Sequence, residues 1–145
     1  MLTKYILQAR ILLNLEAKGL EQVLAKMLMR SQRKNHAEII ASLLKRESLM
    51  PTALGKGIAV PRIILDDKFG TEIIVAISHK GIDLNSFDRL PVKIIFLCLF
   101  SKSDTHSALL AHCLHLLNDG SMRTELLAAK TAEEVVRLIG EREKT

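Results

Sequence analysis

One apolar run in the second half of the chain constrains the fold more than any other feature. Residues Val92 to Phe100 are apolar except for Lys93, and Ile94–Phe100 is uninterrupted. This run is far shorter than the roughly 20 residues of a membrane-spanning helix. A strand without polar alternation is typical of a sheet that is covered on both faces. We therefore expect a central strand with helices packed on each side of the sheet.

Helical spacing of apolar residues predicts the covering layers. Helices are expected to begin after Gly19 and after Asn35, where Asn35 and Glu38 have the spacing of a capping box. In the last third, the predicted helices are Thr105–Asn118, Ser121–Ala128 and one that begins at the capping box of Thr131 and Glu134, with Asp119-Gly120 as a helix stop. These helices supply apolar faces for both sides of a sheet.

Three shorter segments predict the remaining strands: Ile11–Leu15, Ile58–Val60 and Ile73–Ile77. Met1–Arg10 is interpreted as a leading segment with one helical turn, and Gly81–Leu90 as a loop. The resulting order is β-α-α-β-β-β-α-α-α. This order predicts an α/β fold, a three-layer α/β/α sandwich with a mixed sheet of about four to five strands.

The composition fits one globular domain over residues 1–145, with 48% hydrophobic and 26% charged residues. The N-terminus lacks the pattern of a secretion signal, and no segment predicts membrane insertion. Cys98 and Cys113 both lie in apolar surroundings, which favours buried free thiols over a disulfide between them. We therefore expect a cytoplasmic protein.

The charge of the chain is unevenly distributed. Residues 1–62 carry 11 Lys and Arg against 4 Asp and Glu, whereas residues 63–145 carry 10 against 12. The basic half can attract an acidic partner or a small anion. Nucleic-acid binding is not favoured, because only 3% of the residues are aromatic and none alternate with basic residues as a stacking surface requires.

The segment Gly55–Arg62, with the sequence Gly-Lys-Gly-Ile-Ala-Val-Pro-Arg, is the strongest candidate for a functional site. Its two glycines allow a tight turn and a close approach of the backbone to a ligand. Pro61 is expected to end the short strand Ile58–Val60. Arg62 would then lie just past a strand end, where α/β proteins tend to place functional groups.

His106 is the most informative histidine, because it lies in the first turn of a predicted helix and on its apolar face. A role in anion binding is one interpretation, and a core histidine bonded to a carbonyl oxygen is the other. His112 and His115 share a helix face, but two ligands do not make a metal site. The sequence predicts no metal and no cofactor, and His36 and His79 are interpreted as surface residues.

A set of spaced residues resembles the type-2 IIA (EIIA) domains of the bacterial phosphoenolpyruvate-dependent sugar phosphotransferase system. The family pattern is Arg-Glu, then Ser or Thr, then Gly-x-Gly-[Ile/Val]-Ala-[Ile/Val]-Pro-His. The corresponding residues here are Arg46-Glu47, Thr52, Gly55-Lys56-Gly57-Ile58-Ala59-Val60-Pro61 and Arg62, followed by Gly81, Asp88, Pro91-Val92 and His106. The chain is similar to the fructose/mannitol family and most similar to its nitrogen-regulatory branch. This resemblance implies the phosphotransferase/anion-transport-protein-like fold.

The chain departs from the family pattern at its centre. The family resemblance implies that the residue after the proline is the histidine that accepts a phosphoryl group from the phosphocarrier HPr. Arg62 occupies that position and has no lone pair with which to attack phosphorus. The resemblance further implies a cationic, anion-binding pocket formed by Arg46, Thr52, Gly57, Arg62 and His106.

Three functions follow from this departure, and the alternative to all three is a degenerate domain that binds no ligand or one piece of a larger protein, such as a transporter or a transcription regulator. The first is a regulatory or protein-interaction module that cannot be phosphorylated at Arg62, with an HPr-like phosphocarrier or a regulated transporter or kinase as its partner. The second is an active phosphotransfer component that relays phosphate through His106, the one candidate catalytic residue. The third is a sensor that binds a small anion or a phosphorylated metabolite at the Arg62 pocket.

Overall fold

The computed structural model describes residues 2–144, in which two layers of helices enclose a mixed β-sheet. The strands are β1 (Ile11–Leu12), β2 (Ala53–Gly55), β3 (Ile58–Ala59), β4 (Arg62–Leu65), β5 (Glu72–Ile82) and β6 (Val92–Ser101). The helices are α1 (Leu20–Leu28), α2 (His36–Glu47), α3 (His106–Asn118), α4 (Gly120–Ala128) and α5 (Ala132–Glu143). None of the helices within residues 2–144 has the length and hydropathy to span a bilayer.

Strand β6 is the centre of the sheet. It pairs antiparallel with β5 along one edge and parallel with β3 and then β4 along the other. The order of the sheet is β1-β5-β6-β3-β2, with β4 also paired to β6. Strands β3 and β4 pair with successive parts of the same edge of β6, so they share one place in the order of the sheet. The six strands therefore form a sheet that is five strands wide. The predicted α/β/α architecture with a mixed sheet is confirmed.

The side chains of β6 explain why both faces of the sheet are covered. Successive residues of a strand point to opposite faces. Ile94, Phe96, Cys98 and Phe100 join the core that includes residues of α3, α4 and α5, and the alternate residues of β6 join the core that includes residues of α1 and α2. Residues Ile94–Phe100 are at most 2% exposed, which confirms the predicted buried strand.

The structure extends the prediction for Arg62. The predicted strand Ile58–Val60 ends at Ala59, and Arg62 lies past that end, as expected, but it also opens a further strand, β4. Pro61 has no N–H to donate, but its carbonyl accepts the N–H of Cys98 at 2.9 Å, so pairing with β6 resumes at once. Neither β2 nor β4 was predicted.

The two predicted capping boxes have different outcomes. Thr131 accepts the backbone N–H of Glu134 at 3.1 Å, and the Glu134 carboxylate accepts the N–H of Lys130 at 3.0 Å, so the predicted start of α5 is confirmed. Asn35 precedes α2 but makes no capping bond to the backbone. Its side chain instead donates to the Glu38 carboxylate at 3.3 Å, which satisfies both side chains locally.

Several element boundaries also differ from the prediction. Gly120 opens α4 instead of ending α3, because the Asp119 carboxylate caps the first turn of α4. Strand β5 continues through Gly81 to Ile82, into the predicted loop, and β1 is only two residues long. The leading segment forms two short 3-10 turns, Leu2–Lys4 and Gln8–Arg10, while Met1 lies outside the described residues.

A buried ion network joins the segment after α1 to the segment after β4. The Arg33 side chain is fully buried and donates to both carboxylate oxygens of Asp67 at 2.9 and 3.1 Å, and to Glu72 at 2.9 Å. It also donates to the carbonyls of Phe69 and Gly70. The hydrogen bond from Arg33 holds the pKa of Asp67 below its ordinary value. The network therefore fixes the loop between β4 and β5.

Candidate functional site

A pocket of about 380 Å³ opens between β4, β6, α2 and α3. It is lined by Arg46, Arg62, Ile63, Ile64, Phe100, His106, Ser107, Leu110, Ala111 and Leu114. The three charged or titratable residues that the sequence singled out by spacing therefore come together here: Arg46, Arg62 and His106. Their role in binding an anion stays a prediction.

Strand register and helix periodicity explain how the pocket is built. In the parallel pairing of β4 with β6, Arg62 lies beside Cys98 and Ile64 beside Phe100. Partners in register share a face of the sheet, and the two β6 residues belong to the core on the α3 side. The wall opposite comes from α3, where His106, Leu110 and Leu114 recur every four residues. Arg46 reaches the pocket from the last turn of α2.

Arg62 is half-buried and makes only weak polar contacts. One terminal nitrogen donates to the Val60 carbonyl at 3.2 Å, and the other lies 3.4 Å from the Met50 sulfur. Within the described part of the chain, no carboxylate forms an ion pair with Arg62 or with Arg46. Two guanidinium groups therefore border the pocket without a carboxylate partner among residues 2–144.

His106 is half-buried at the start of α3, and its ring borders the same pocket. The ring centroid lies 6.1 Å from that of Phe100, with an angle of 41° between the planes. Its backbone N–H donates to the Asp104 carbonyl at 2.9 Å, but no residue among 2–144 hydrogen-bonds to its ring nitrogens. The alternative of a core histidine bonded to a carbonyl is therefore wrong for this ring.

Thr52 and Gly57, the other two predicted anion-binding residues, do not line the pocket among the described residues. The Thr52 N–H donates to the Glu47 carboxylate at 2.9 and 3.1 Å, and its carbonyl accepts the N–H of Val60. Its hydroxyl is buried without a hydrogen-bond partner in residues 2–144. Arg46 and Glu47 therefore have different roles. Arg46 borders the pocket, whereas Glu47 accepts the hydrogen bonds that stabilise the turn before β2.

The Gly-x-Gly motif forms the turn between β2 and β3. Gly55, Lys56 and Gly57 all have positive φ values, of 82°, 58° and 78°. A Cβ at Gly55 would lie 2.8 Å from the Phe87 ring, and the Asp88 carboxylate accepts the N–H of Lys56 at 2.8 Å. The Lys56 side chain bonds to Asn118 at the end of α3. The glycines therefore serve the turn and its packing against the β5–β6 loop.

The thiol of Cys98, the register partner of Arg62, lies in the core close to Cys113. Both cysteines are buried and free, as predicted. A hydrogen bond with the Cys113 thiol, together with burial, raises the pKa of Cys98, and the nearby charge of Arg62 opposes this shift. Cys98 is thus a neutral thiol in the core, and the basic residues of the pocket are Arg46, Arg62 and His106.

The arrangement suits the binding of an anion more than general acid–base chemistry with carboxylates. The pocket combines two guanidinium groups and an imidazole with apolar walls, and no Asp or Glu lines it among the described residues. No group of three metal-binding side chains is present in residues 2–144. The sequence analysis did not predict that Ile64, Phe100, Leu110 and Leu114 line the pocket. The four-residue spacing of His106, Leu110 and Leu114 on α3 is a local signal that could have indicated part of this lining.

The sequence pattern of one protein family matches nearly the whole chain. This family is described as the phosphoenolpyruvate-dependent sugar phosphotransferase system, EIIA 2, and the match covers residues 4–142. The chain is 29% identical over 119 residues to the nitrogen regulatory protein homolog of Haemophilus influenzae, which covers 79% of this chain and 68% of that protein.

Two further similarities concern a larger protein and a solved structure. The chain is 27% identical over 149 residues to the PTS system fructose-specific EIIABC component of Bacillus subtilis, of whose length it spans only 24%. The fold is similar to the crystal structure of nitrogen regulatory protein IIA-Ntr from Neisseria meningitidis, with a TM-score of 0.83 and 22% identity. That alignment covers 95% of this chain and 98% of the other.

Proposed function

The chain belongs to the EIIA 2 family of the phosphoenolpyruvate-dependent sugar phosphotransferase system, and we propose that it is a regulatory IIA domain that cannot be phosphorylated at Arg62. The family match and the similarity to a nitrogen regulatory protein homolog support a place in the nitrogen-regulatory branch. We further propose that residues 1–145 form one domain that acts in the cytoplasm.

The observation that carries this proposal is the position of the Arg62 side chain. It borders the same pocket as His106 and Arg46, so it occupies the part of the site where the resemblance implies an acceptor histidine. A guanidinium is protonated at every working pH and has no lone pair for attack on phosphorus. The site therefore keeps its shape and its positive charge while it loses the nucleophile.

A fixed charge state has a consequence for partner recognition. Phosphorylation adds roughly 1.5 to 2 negative charges to a surface, so a chain that is never phosphorylated presents only the cationic form of this site. The partner that we propose is an HPr-like phosphocarrier or a regulated transporter or kinase. Exposed apolar side chains support a protein contact, since Leu49 and Phe87 are each 83% exposed and Met50 touches Arg62.

Transfer of labelled phosphate tests the proposal. The protein is incubated with labelled phosphoenolpyruvate, enzyme I and HPr, and acid-labile phosphate on the chain is measured. No covalent label is expected, with a phosphorylatable IIA domain as the positive control in the same mixture. Stoichiometric label on this chain would refute the proposal.

Relay of phosphate through His106 is the second candidate function. It is favoured by one observation, namely that the imidazole borders the pocket and its ring nitrogens have no hydrogen-bond partner in the described structure. Label that appears on the wild-type chain and disappears in His106→Ala would establish this function. Label that persists in His106→Ala would exclude it.

A further inference from the structure

The pocket beside Arg62 is mostly apolar, which an inorganic anion alone does not require. Ile64 and Phe100 form its floor, and Leu110 and Leu114 form the wall on α3. A hydrated phosphate bound to Arg62 would leave the exposed parts of Ile64, Leu110 and Leu114 in contact with water. The lining therefore fits a ligand that has an apolar body as well as a charge.

Basic and apolar side chains alternate around the pocket. In β4, Arg62 lies beside Cys98, and Ile64 lies beside Phe100, whose ring centroid is 6.1 Å from that of His106. His106 is therefore at the Ile64 end of β4 rather than at the Arg62 end, and α3 continues from there with its apolar residues. A ligand that fits this lining has its anionic group within reach of a guanidinium and its apolar body in contact with the leucines of α3.

The two guanidinium groups indicate the sign and the kind of the charged group. Neither Arg46 nor Arg62 has a carboxylate partner among residues 2–144, so each can donate to an added anion. Guanidinium groups bind carboxylates and phosphates through paired N–H donors. The volume of about 380 Å³ is at the small end of the range for ligand pockets. It corresponds to roughly a dozen water-sized groups.

We propose that this pocket binds a small amphiphilic anion, a carboxylate or phosphate monoester on an apolar body of roughly a dozen heavy atoms. The inference deepens the proposed function, because it names the ligand class of the same unphosphorylated pocket. Bound ligand would cover the Arg62 charge and the apolar lining together. It would thereby change the surface that a protein partner meets.

A homologous series of carboxylates tests whether the apolar lining of the pocket contributes to binding. Acetate, butyrate, hexanoate and octanoate are titrated into the intact protein by calorimetry, with octyl phosphate and octanol as parallel arms. Each buried methylene strengthens binding roughly fourfold, so octanoate is expected to bind about 60-fold more tightly than acetate even if only three methylenes are buried. Octanol, which lacks the charge, is expected to bind more weakly than octanoate.

Variants of the pocket residues test whether the ligand binds in the pocket beside Arg62. Arg62→Gln is expected to weaken octanoate at least roughly tenfold, because a hydrogen bond to a charged group is lost. Ile64→Ala, at a position that is 43% exposed and so tolerates truncation, is expected to reduce the gain with chain length and to leave acetate unchanged. Arg137→Gln removes the same charge from the exposed face of α5 and serves as the matched control.

The outcomes separate this inference from the proposed function. If octyl phosphate binds more tightly than octanoate, the preferred ligand is a phosphate monoester. If octanoate binds more tightly than octyl phosphate, the preferred ligand is a carboxylate. Equal affinity for acetate and octanoate, no saturable binding of either octyl anion, or equal binding by Arg62→Gln would overturn the inference. None of these results alters the phosphate-transfer assay, which tests the proposed function by itself.

Discussion

Replacement of Arg33 by Met tests the buried network that fixes the loop after β4. The substitution removes five hydrogen bonds, two to Asp67, one to Glu72 and two to backbone carbonyls. It leaves the Glu72 carboxylate, which is 2% exposed, without its closest cation. Removal of one partner of a buried ion pair costs about 3–5 kcal/mol.

The surroundings of Glu72 place the expected cost at the lower end of that range. Its carboxylate still accepts from the Ser31 hydroxyl at 2.5 Å and from the N–H of Gln32 at 2.9 Å, and Arg10 lies 3.5 Å away. We therefore expect Arg33→Met to lower the free energy of unfolding by about 3 kcal/mol. Equilibrium unfolding in urea measures this difference directly.

Two further variants make the test specific. Arg137→Met breaks an exposed pair with Glu141 and is expected to change the free energy of unfolding by no more than about 0.5 kcal/mol. Glu72→Gln in the Arg33→Met background removes the buried carboxylate charge that has lost Arg33 and keeps an acceptor oxygen. Part of the lost free energy of unfolding should therefore be recovered. A loss below about 1 kcal/mol in Arg33→Met, or no recovery in the double variant, would refute the reasoning.

Three other predictions follow from single contacts. Because Arg33 lowers the pKa of Asp67 in the folded state, the stabilisation from Asp67 should be full above about pH 4 and be lost as the pH falls through the lowered value; the difference in stability between wild type and Asp67→Asn should shrink accordingly. Gly55→Ala should destabilise the fold by about 1–3 kcal/mol in urea, because the position has a positive φ and the new Cβ would meet the Phe87 ring. Cys98 should resist thiol reagents in the native state and react on unfolding, since its thiol is buried and its pKa is raised; rapid modification without unfolding would contradict this.

The layers of the fold were predictable because they depend on local patterns. The apolar run Ile94–Phe100 and the helical spacing in the last third are enough to specify a sheet covered on both faces. Strand β4 was not predictable in the same way. Its pairing depends on the carbonyl of Pro61, a contact that no periodicity reveals.

The candidate site was predictable where a residue acts through its place in a motif. Arg46, Arg62 and His106 are far apart in the chain, and only the family spacing indicated that they meet. Thr52 and Gly57 belong to the same motif, but the structure places them in turns that support the site rather than in its lining. Motif membership therefore identified the region and not the role of each residue.

The features that the sequence did not predict depend on contacts between distant segments of the chain. Phe100 enters the pocket through the register of β4 with β6, and Arg33 meets carboxylates 34 and 39 residues further along the chain. Arg33 was not predicted to be buried, because a charged residue in a polar segment usually faces water. Such pairings become visible only when the strands and loops have been placed.

The covalent state of the chain after exposure to phosphorylated HPr tests the central claim most directly. Intact-mass measurement follows the wild type and Arg62→His side by side, in the presence of phosphoenolpyruvate and enzyme I. We predict an unchanged mass for the wild type and one added phosphoryl group for Arg62→His, because the pocket with Arg46 and His106 remains in place. Phosphorylation of the wild-type chain, or an Arg62→His variant that folds and stays unmodified, would contradict the central claim.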